Sequence, residues 1–496
     1  MPKVIKGRLL SMMLCFIMLI LVLPTFVFAQ TGVSREAEEH ILNELRRTNI
    51  PNAAVAVIQG EETSFILKNS ELDTLFSIAS VTKPFTAFGV LLLEDMGSLS
   101  IYDPVNHHLP WFEVRYNGVL VPHDDITIHN LITHTSGIAQ NEERFPRAAP
   151  SETTDEFIAR LTGMEIDFYP ATNIAYSNMA YIILGLLIEA VSGQGYDDFM
   201  TQQIFRPLGL YDTFTNYEQA SDTGRVVSGY RRGFLHVWQA YKNLNRNRII
   251  NTAAGGLYSS ASDLARWAGI QLGIIDVPEQ FARIVQRSHI LNPDANVPFA
   301  EGFVFANGGW YVNSENGRIE HAGGDRGYSA IIRLLPENNA AVVVLSNLRL
   351  ENNVGELGDI ALGAVLDNTF NSRNFDLLEW IDIGFTLLCA MGVVFLGLLI
   401  RLMIKLRKRL QDGEIIKMNF SAKNIRLLIS GSIFSVAGLI FYYIFPFVVL
   451  DTVRERFLLN SPVSFGVAAI AIWIMVLYDV FSWWVKVSVQ PAITRN

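Results

Sequence analysis

Phe76-Ser77-Ile78-Ala79-Ser80-Val81-Thr82-Lys83-Pro84 is the stretch on which the fold of this 496-residue chain turns. A serine hydroxyl is a poor nucleophile until a base takes its proton. Helical geometry puts positions i and i+3 on one face, so the Lys83 amine can reach the Ser80 hydroxyl. A lysine acting as base must be partly neutral, which burial and nearby positive charge achieve. Ser77 has no lysine three residues on and is the weaker candidate. Pro84 suits a first helical turn, where its missing N–H costs little. A serine at a helix start also feels the positive end of the dipole, which favours developing negative charge. The spacing predicts a helix from near Ser80 to about Met96, ended by Gly97.

Two further clusters lie outward from this tetrad. The first is Tyr176-Ser177-Asn178. A phenol that bridges serine and lysine can relay a proton to a leaving group. Asn178 can hold the lysine or a substrate amide. The same residues also read as a helix cap at Ser177 or Asn178, followed by a buried Tyr181. The second cluster is His321-Ala322-Gly323-Gly324. Glycines beside a strand let a substrate backbone approach closely. A lone histidine there reads as structural when taken by itself.

Around these clusters the chain alternates in class. Residues 51–58 form a short apolar run between turn residues, a buried strand by pattern, and 64–68 can pair with it as a hairpin. Residues 130–270 show mainly helical spacing. Residues 301–346 return to strand-like runs such as 340–345, and a last helix is expected over 354–366. The order implies an α/β (α+β) domain over 30–375: one antiparallel sheet assembled from both ends, flanked by helices, with an all-helical region inserted. Cys15 and Cys389 are the only cysteines, so that domain is held by its core and not by a disulfide. The net charge of −9 argues against a nucleic-acid partner.

Both ends of the chain are apolar. Lys3, Lys6 and Arg8 precede an apolar run over 9–28, which reads as a signal segment over 1–29 cleaved after Ala29, with an uncleaved anchor as the alternative. Beyond residue 375 three apolar runs, about 381–402, 427–450 and 465–484, each reach the roughly 20 residues a membrane helix needs. Residues 376–496 therefore read as a membrane domain of three transmembrane helices. The first loop carries Arg401, Lys405, Arg407, Lys408, Arg409, Lys417, Lys423 and Arg426 against Asp412 and Glu414. The positive-inside rule puts that loop in the cytoplasm and residues 30–375 outside, the side the signal segment also predicts. Asp382 and Asp479 sit near the ends of their spans and read as solvated interface groups.

Taken together, the three clusters resemble the serine β-lactamase and penicillin-binding superfamily, in its class C-like branch with the D,D-carboxypeptidases and related esterases. Leu131-Ile132-Thr133-His134-Thr135-Ser136-Gly137 is similar to the family's L-L-T-H-T-S-G stretch. Ala254-Gly255-Gly256-Leu257-Tyr258-Ser259-Ser260, followed by Asp263-Leu264, is similar to its A-G-G-L-x-S-T-x-x-D-L stretch. The resemblance runs over 35–370 and leaves out the apolar spans. It implies that Ser80 forms an acyl-enzyme, that Lys83 and Tyr176 share general-base and general-acid work, and that Asn178 lines the site. It also implies that His321, Ala322 and Gly323 form the strand edge for substrate, and that the N–H groups of Ser80 and Gly324 make the oxyanion hole. Many β-lactamases carry lysine where this chain has His321. Histidine offers a positive charge only when protonated, with an ordinary pKa of about 6.5.

The expected function is a membrane-anchored, extracytoplasmic serine hydrolase acting on an ester, amide or D-amino-acid peptide of the cell envelope. A strict D,D-carboxypeptidase or β-lactamase is the narrower alternative. A penicillin-recognising sensor or a binding protein without turnover is the alternative of another class, but residues 401–426 are too few for the effector domain of a sensor. The implied partners are a small-molecule or peptide substrate and membrane lipid. No cofactor is expected. His123, His129 and His134 lack the cysteine or carboxylate companions of a metal site.

Overall fold

The computed structural model describes residues 26–28, 35–138, 152–239, 248–291, 302–325, 327–349, 353–366, 377–412, 415–416 and 463–490. Eight strands of one antiparallel sheet are called, in chain order, β1 (Phe26–Phe28), β2 (Ala53–Gln59), β3 (Glu62–Lys68), β4 (Phe303–Phe305), β5 (Tyr311–Asn313), β6 (Ile319–Asp325), β7 (Tyr328–Leu335) and β8 (Ala340–Ser346). Their spatial order is β1-β3-β2-β8-β7-β6-β5-β4. Strands from the two ends of the domain meet where β2 pairs with β8, in register from Ala53 opposite Ser346 to Gln59 opposite Ala340.

β2 and β8 are apolar on both faces, and their period of two sorts side chains between two cores. Ala54, Ala56, Ala341, Val343 and Leu345 join the larger core, shared with the inserted helical region. Val55, Val57, Val342 and Val344 join the smaller one. That second core is closed by helix α1 (Arg35–Arg47), through Ile41, Leu42 and Leu45, and by the helix Asn353–Val365, through Leu357 and Ala361. The terminal helix and the strand runs follow the sequence pattern. The α1 helix does not feature in that pattern, although it opens on Glu36 and Glu38 and ends on Arg46 and Arg47, as the helix dipole favours.

Helix α2 (Thr82–Asp95) runs through the larger core, and all its residues from Thr82 to Leu93 are buried. Phe85 stacks on Trp267 with ring centroids 4.4 Å apart. Met96 caps the helix and Gly97, at φ 73°, turns the chain out of it. Helix α3 (Asn178–Ser192) crosses beside α2 and ends at Gly193, whose φ of 68° a side chain would strain.

Outside the domain lie two long helices, α4 (Leu377–Gln411) and α5 (Val463–Ser488). Among the described residues one helix, Trp380–Gln411, is long and apolar enough to cross a membrane. Within α5 the apolar stretch is Ile470–Ser482. The 427–450 run lies outside the described residues. Phe385 meets Phe465 at 4.7 Å, Phe395 meets Tyr478 at 5.1 Å, and Leu406 packs near Phe481, so α4 and α5 run parallel. Asp382 is not the solvated interface group its position near a span end suggests: it is 2% exposed. A hairpin of the domain, Tyr230–Gly233 with His236–Gln239, covers it. Phe26–Phe28, at the end of the expected signal segment, pairs as an edge strand with β3.

Candidate active site

Ser80 sits in a short 3-10 turn, Ala79–Val81, that leads into α2. Ala79 before it is left-handed, at φ 46°, a conformation that costs a residue with a Cβ about 1–2 kcal/mol. The neighbouring Ala254-Gly255-Gly256-Leu257 segment holds this turn down. Ile78 N–H donates to the Leu257 carbonyl at 3.0 Å, and Leu257 N–H donates to Thr82 Oγ1 at 3.2 Å. A Cβ at Gly255 would lie 3.6 Å from the Ala79 carbonyl carbon. A motif known from its phrasing alone thus becomes a brace for the serine loop.

Lys83 lies one turn along and is fully buried. Its Nζ reaches Ser80 Oγ at 3.3 Å, Asn178 Oδ1 at 2.7 Å and the Ala254 carbonyl at 2.6 Å. A neutral amine in this position gives its two N–H bonds to the Asn178 and Ala254 oxygens and turns its lone pair to the Ser80 hydroxyl. The same Nζ is 4.6 Å from the ring centroid of Tyr176. So the structure brings Ser80, Lys83, Tyr176 and Asn178 together.

The structure shows the helix cap in Tyr176-Ser177-Asn178, and the same cap sets Tyr176 and Asn178 beside Lys83. Ser177 is the N-cap of α3 and accepts from Ala180 N–H at 3.0 Å, while Tyr181 is buried and donates to the Ile132 carbonyl at 2.9 Å. The cap places Asn178 at the first helical position, beside Lys83. His134, which the sequence shows only within the Leu131–Gly137 stretch, packs against Tyr176. Its Nδ1 accepts from Ser177 N–H at 3.0 Å, and its ring centroid lies 4.7 Å from that of Tyr176. Burial, with the Lys83 charge close by, holds His134 well below the ordinary histidine range. It is therefore the neutral imidazole, protonated on Nε2. His129 is committed elsewhere, to Asn307 Oδ1 at 2.9 Å.

β6 closes the site from the other side. β5 pairs with it only at Ile319 and Glu320, so from His321 to Asp325 that edge has no strand partner among the described residues. Gly323 faces the serine turn. A Cβ there would collide with the Ile78 carbonyl and lie 3.1 Å from Ser80 N. The backbones of Ser80 and of Gly323-Gly324 are therefore immediate neighbours. Ala322 and Gly324 point the opposite way and are exposed.

His321 is fully buried, on the same face as Gly323. Its Nδ1–H donates to the Ala322 carbonyl at 2.8 Å, and its ring lies 4.8 Å from Tyr311. Burial, followed by the Lys83 charge, lowers its pKa to about 3. It is a neutral residue under the strand and presents no cation to the cleft at any ordinary pH. A cation does reach the opposite face: a Cβ at Gly324 would collide with the guanidinium of Arg349, just beyond β8. No motif singles Arg349 out. Only the sheet register brings it to β6.

The model of the Beta-lactamase family matches residues 37–366. The chain belongs to the beta-lactamase family. Family members similar to it include Protein flp of Staphylococcus aureus (strain MW2), 30% identical over 332 residues, covering 63% of this chain and 62% of that one. Penicillin-binding protein 4* of Bacillus subtilis (strain 168) is 27% identical over 293 residues, covering 55% and 61%. This chain thus spans about three-fifths of the length of these curated relatives. Among solved structures, a class C beta-lactamase superposes with a TM-score of 0.57 at 17% identity, over 68% of this chain and 97% of its own. The octameric penicillin-binding protein homologue from Pyrococcus abyssi gives 0.56 at 24% identity, over 67% and 77%. These likenesses carry the family fold.

Proposed function

We propose that this beta-lactamase family member is a membrane-anchored serine hydrolase that forms an acyl-enzyme at Ser80 on an ester, amide or D-amino-acid peptide outside the cell. The observation that carries this reading is the contact of buried Lys83 with Ser80 Oγ and Asn178 Oδ1, beside the Tyr176 ring. Ser80 Oγ attacks the acyl carbon, and its proton passes to the Lys83–Tyr176 pair. The oxyanion is held by the N–H groups of Ser80 and Gly324. The pair returns the proton to the leaving alcohol or amine, and water then releases the acyl group.

Arg349 bears on the substrate class. With His321 neutral, the Arg349 guanidinium lies over Gly324 on the open part of β6, and this partly buried side chain suits a substrate with a carboxylate beside the scissile bond.

The anchor reading rests on α4, with its apolar stretch followed by a basic end. The apolar run 427–450 has the length of a further span by sequence alone. Cleavage after Ala29 would remove β1, which adds only an edge to the sheet.

The test is activity profiling of the purified full-length chain, wild type against Ser80→Ala, on chromogenic esters, β-lactams and peptides ending in D-Ala-D-Ala. Turnover that vanishes in Ser80→Ala is expected. Equal turnover in both proteins would sink the reading.

A further inference from the structure

The turn of the 230–239 hairpin runs against ordinary preference. Two-residue turns with both residues left-handed favour Asn and Gly. Here the two positions are Phe234 and Leu235, at φ 55° and 58°. That backbone aims two successive N–H groups in one direction, a shape that binds anions. Both donate to Asp382 of α4, one to each carboxylate oxygen, at 2.8 Å. Ser464 of α5 donates to the same carboxylate at 2.5 Å. The Phe234 ring packs into the cluster formed by Ile381, Phe385 and Phe465. One buried acid therefore ties the catalytic domain to both long helices.

The root of the hairpin is held as firmly. Tyr230 N–H donates to the carbonyls of Gly327 and Asn347, at 3.2 and 2.7 Å, and Arg349 N–H donates to the Tyr230 carbonyl at 3.1 Å. Gly327 belongs to the turn that follows β6, so the hairpin spans from the helices to the rim of the cleft.

The tip also presents apolar surface. Leu235 is 66% exposed and Trp238 47%, and on α4 Trp380 is 56% exposed, at the first residue of the apolar span. Tryptophan at the end of a span marks the depth of the membrane interface. The tip is bonded to the helix two residues further on, so it lies at that depth. Continuity with the span identifies what covers Leu235 and Trp238.

We propose that the 230–239 hairpin is a membrane-interfacial foot: clamped by Asp382, it seats Leu235 and Trp238 in outer-leaflet lipid and fixes the height and tilt of the cleft above the bilayer. The proposal rests on the reading that α4 spans the membrane, and its test separates the two. Nitroxide labels are placed at Leu235→Cys and at Val393→Cys, an exposed residue within the span, in full-length protein with Cys15 and Cys389 replaced by alanine. The protein is held in lipid nanodiscs. Accessibility is read by power saturation with oxygen, which enters lipid, and with a nickel chelate, which stays in water.

Both labels are expected to favour oxygen over nickel, Leu235 more weakly. Adding Asp382→Ala should return Leu235 to the contrast of a nitroxide in buffer and leave Val393 unchanged. Lipid-like contrast at Val393 with buffer-like contrast at Leu235 overturns the foot and keeps the anchor. Buffer-like contrast at Val393 overturns both. Shielding of Leu235 from both reagents means protein packing and overturns lipid as the occupant. Contrast at Leu235 that survives Asp382→Ala overturns the clamp. A second substitution, Leu235→Glu, leaves Asp382 in place. It should lower the lipid-dependent quenching of tryptophan by brominated phospholipid to the level of Trp238→Phe.

Discussion

The Nζ of Lys83 stands 3.3 Å from Ser80 Oγ in a fully buried position, and two further acceptors hold it there. The amine is held beside the serine because its N–H bonds are given to Asn178 Oδ1 and the Ala254 carbonyl. Lys83→Met keeps the length and apolar stem of the side chain and removes only the amine. The expected result is a loss of roughly 10²–10⁴-fold in acylation rate, the usual worth of a positioned general base. Combining it with Ser80→Ala should add nothing, since residues that act as a unit are not additive. Burst kinetics on an activated ester measure both. Acylation within threefold of wild type would exclude Lys83 as the base.

Gly323 and Gly324 are adjacent, yet their substitution should have unlike effects. A Cβ at Gly323 meets backbone, the Ile78 carbonyl and Ser80 N, which cannot move without displacing Ser80. A Cβ at Gly324 meets the far end of the Arg349 side chain, which can turn aside. Gly323→Ala should therefore lose about 10²-fold in kcat/KM, the cost of misplacing reacting groups by about 1 Å. Gly324→Ala should keep acylation of a neutral ester within about tenfold. Thermal melts check that both variants fold. The reverse ranking would mean that a side chain at Gly323 does not disturb Ser80.

His321 decides a pH dependence. Its pKa in the folded protein is about 3, below the ordinary 6.5, because burial opposes its charge. The unfolded chain binds a proton below about pH 6.5 that the folded chain refuses until about pH 3. The stability it contributes is thus complete above pH 6.5 and is lost as pH falls toward 3, by up to about 1.4 kcal/mol per pH unit. His289, lowered to about 4 by burial, acts in the same direction. Urea midpoints at pH 7.5 and 4.5 should fall steeply for wild type and less steeply for His321→Gln. KM should show no step near pH 6.5, because no histidine cation forms at the cleft. An identical acid slope in the variant, or such a step in KM, would contradict the buried neutral imidazole.

The sequence exposes those features that rest on local spacing. Ser80 and Lys83 are one turn apart in any helix, and β2 and β8 show their apolar character directly. The environment of a residue is less visible. His321 stands in a strand next to exposed Ala322, and only the sheet register decides that its ring points inward. Asp382 looks like a solvated end of a span until a hairpin almost 150 positions earlier supplies its two donors. Arg349 lies in no motif and reaches Gly324 through the pairing of β6, β7 and β8. The α1 helix carries a local signal, Ile41, Leu42 and Leu45 between an acidic start and a basic end, but it is too short a repeat to stand out beside the buried strands.

Arg349 gives a prediction about specificity. With His321 neutral, the preference for an acidic substrate proposed above rests on the guanidinium that lies over Gly324. A charge-assisted contact of this kind is worth about 1.5–3 kcal/mol, or roughly 10- to 150-fold in kcat/KM. Two esters that differ only in a carboxylate beside the scissile bond isolate it. Arg349→Ala should lose that factor on the acidic ester and little on the neutral one. Arg349→Lys should recover part of it, because a point charge replaces the bidentate fork. The change should appear mainly in KM, since the contact exists before and during acyl transfer alike. Equal losses on both esters would mean that Arg349 only braces β6, and the cation for an acidic substrate would then have to come from another part of the cleft.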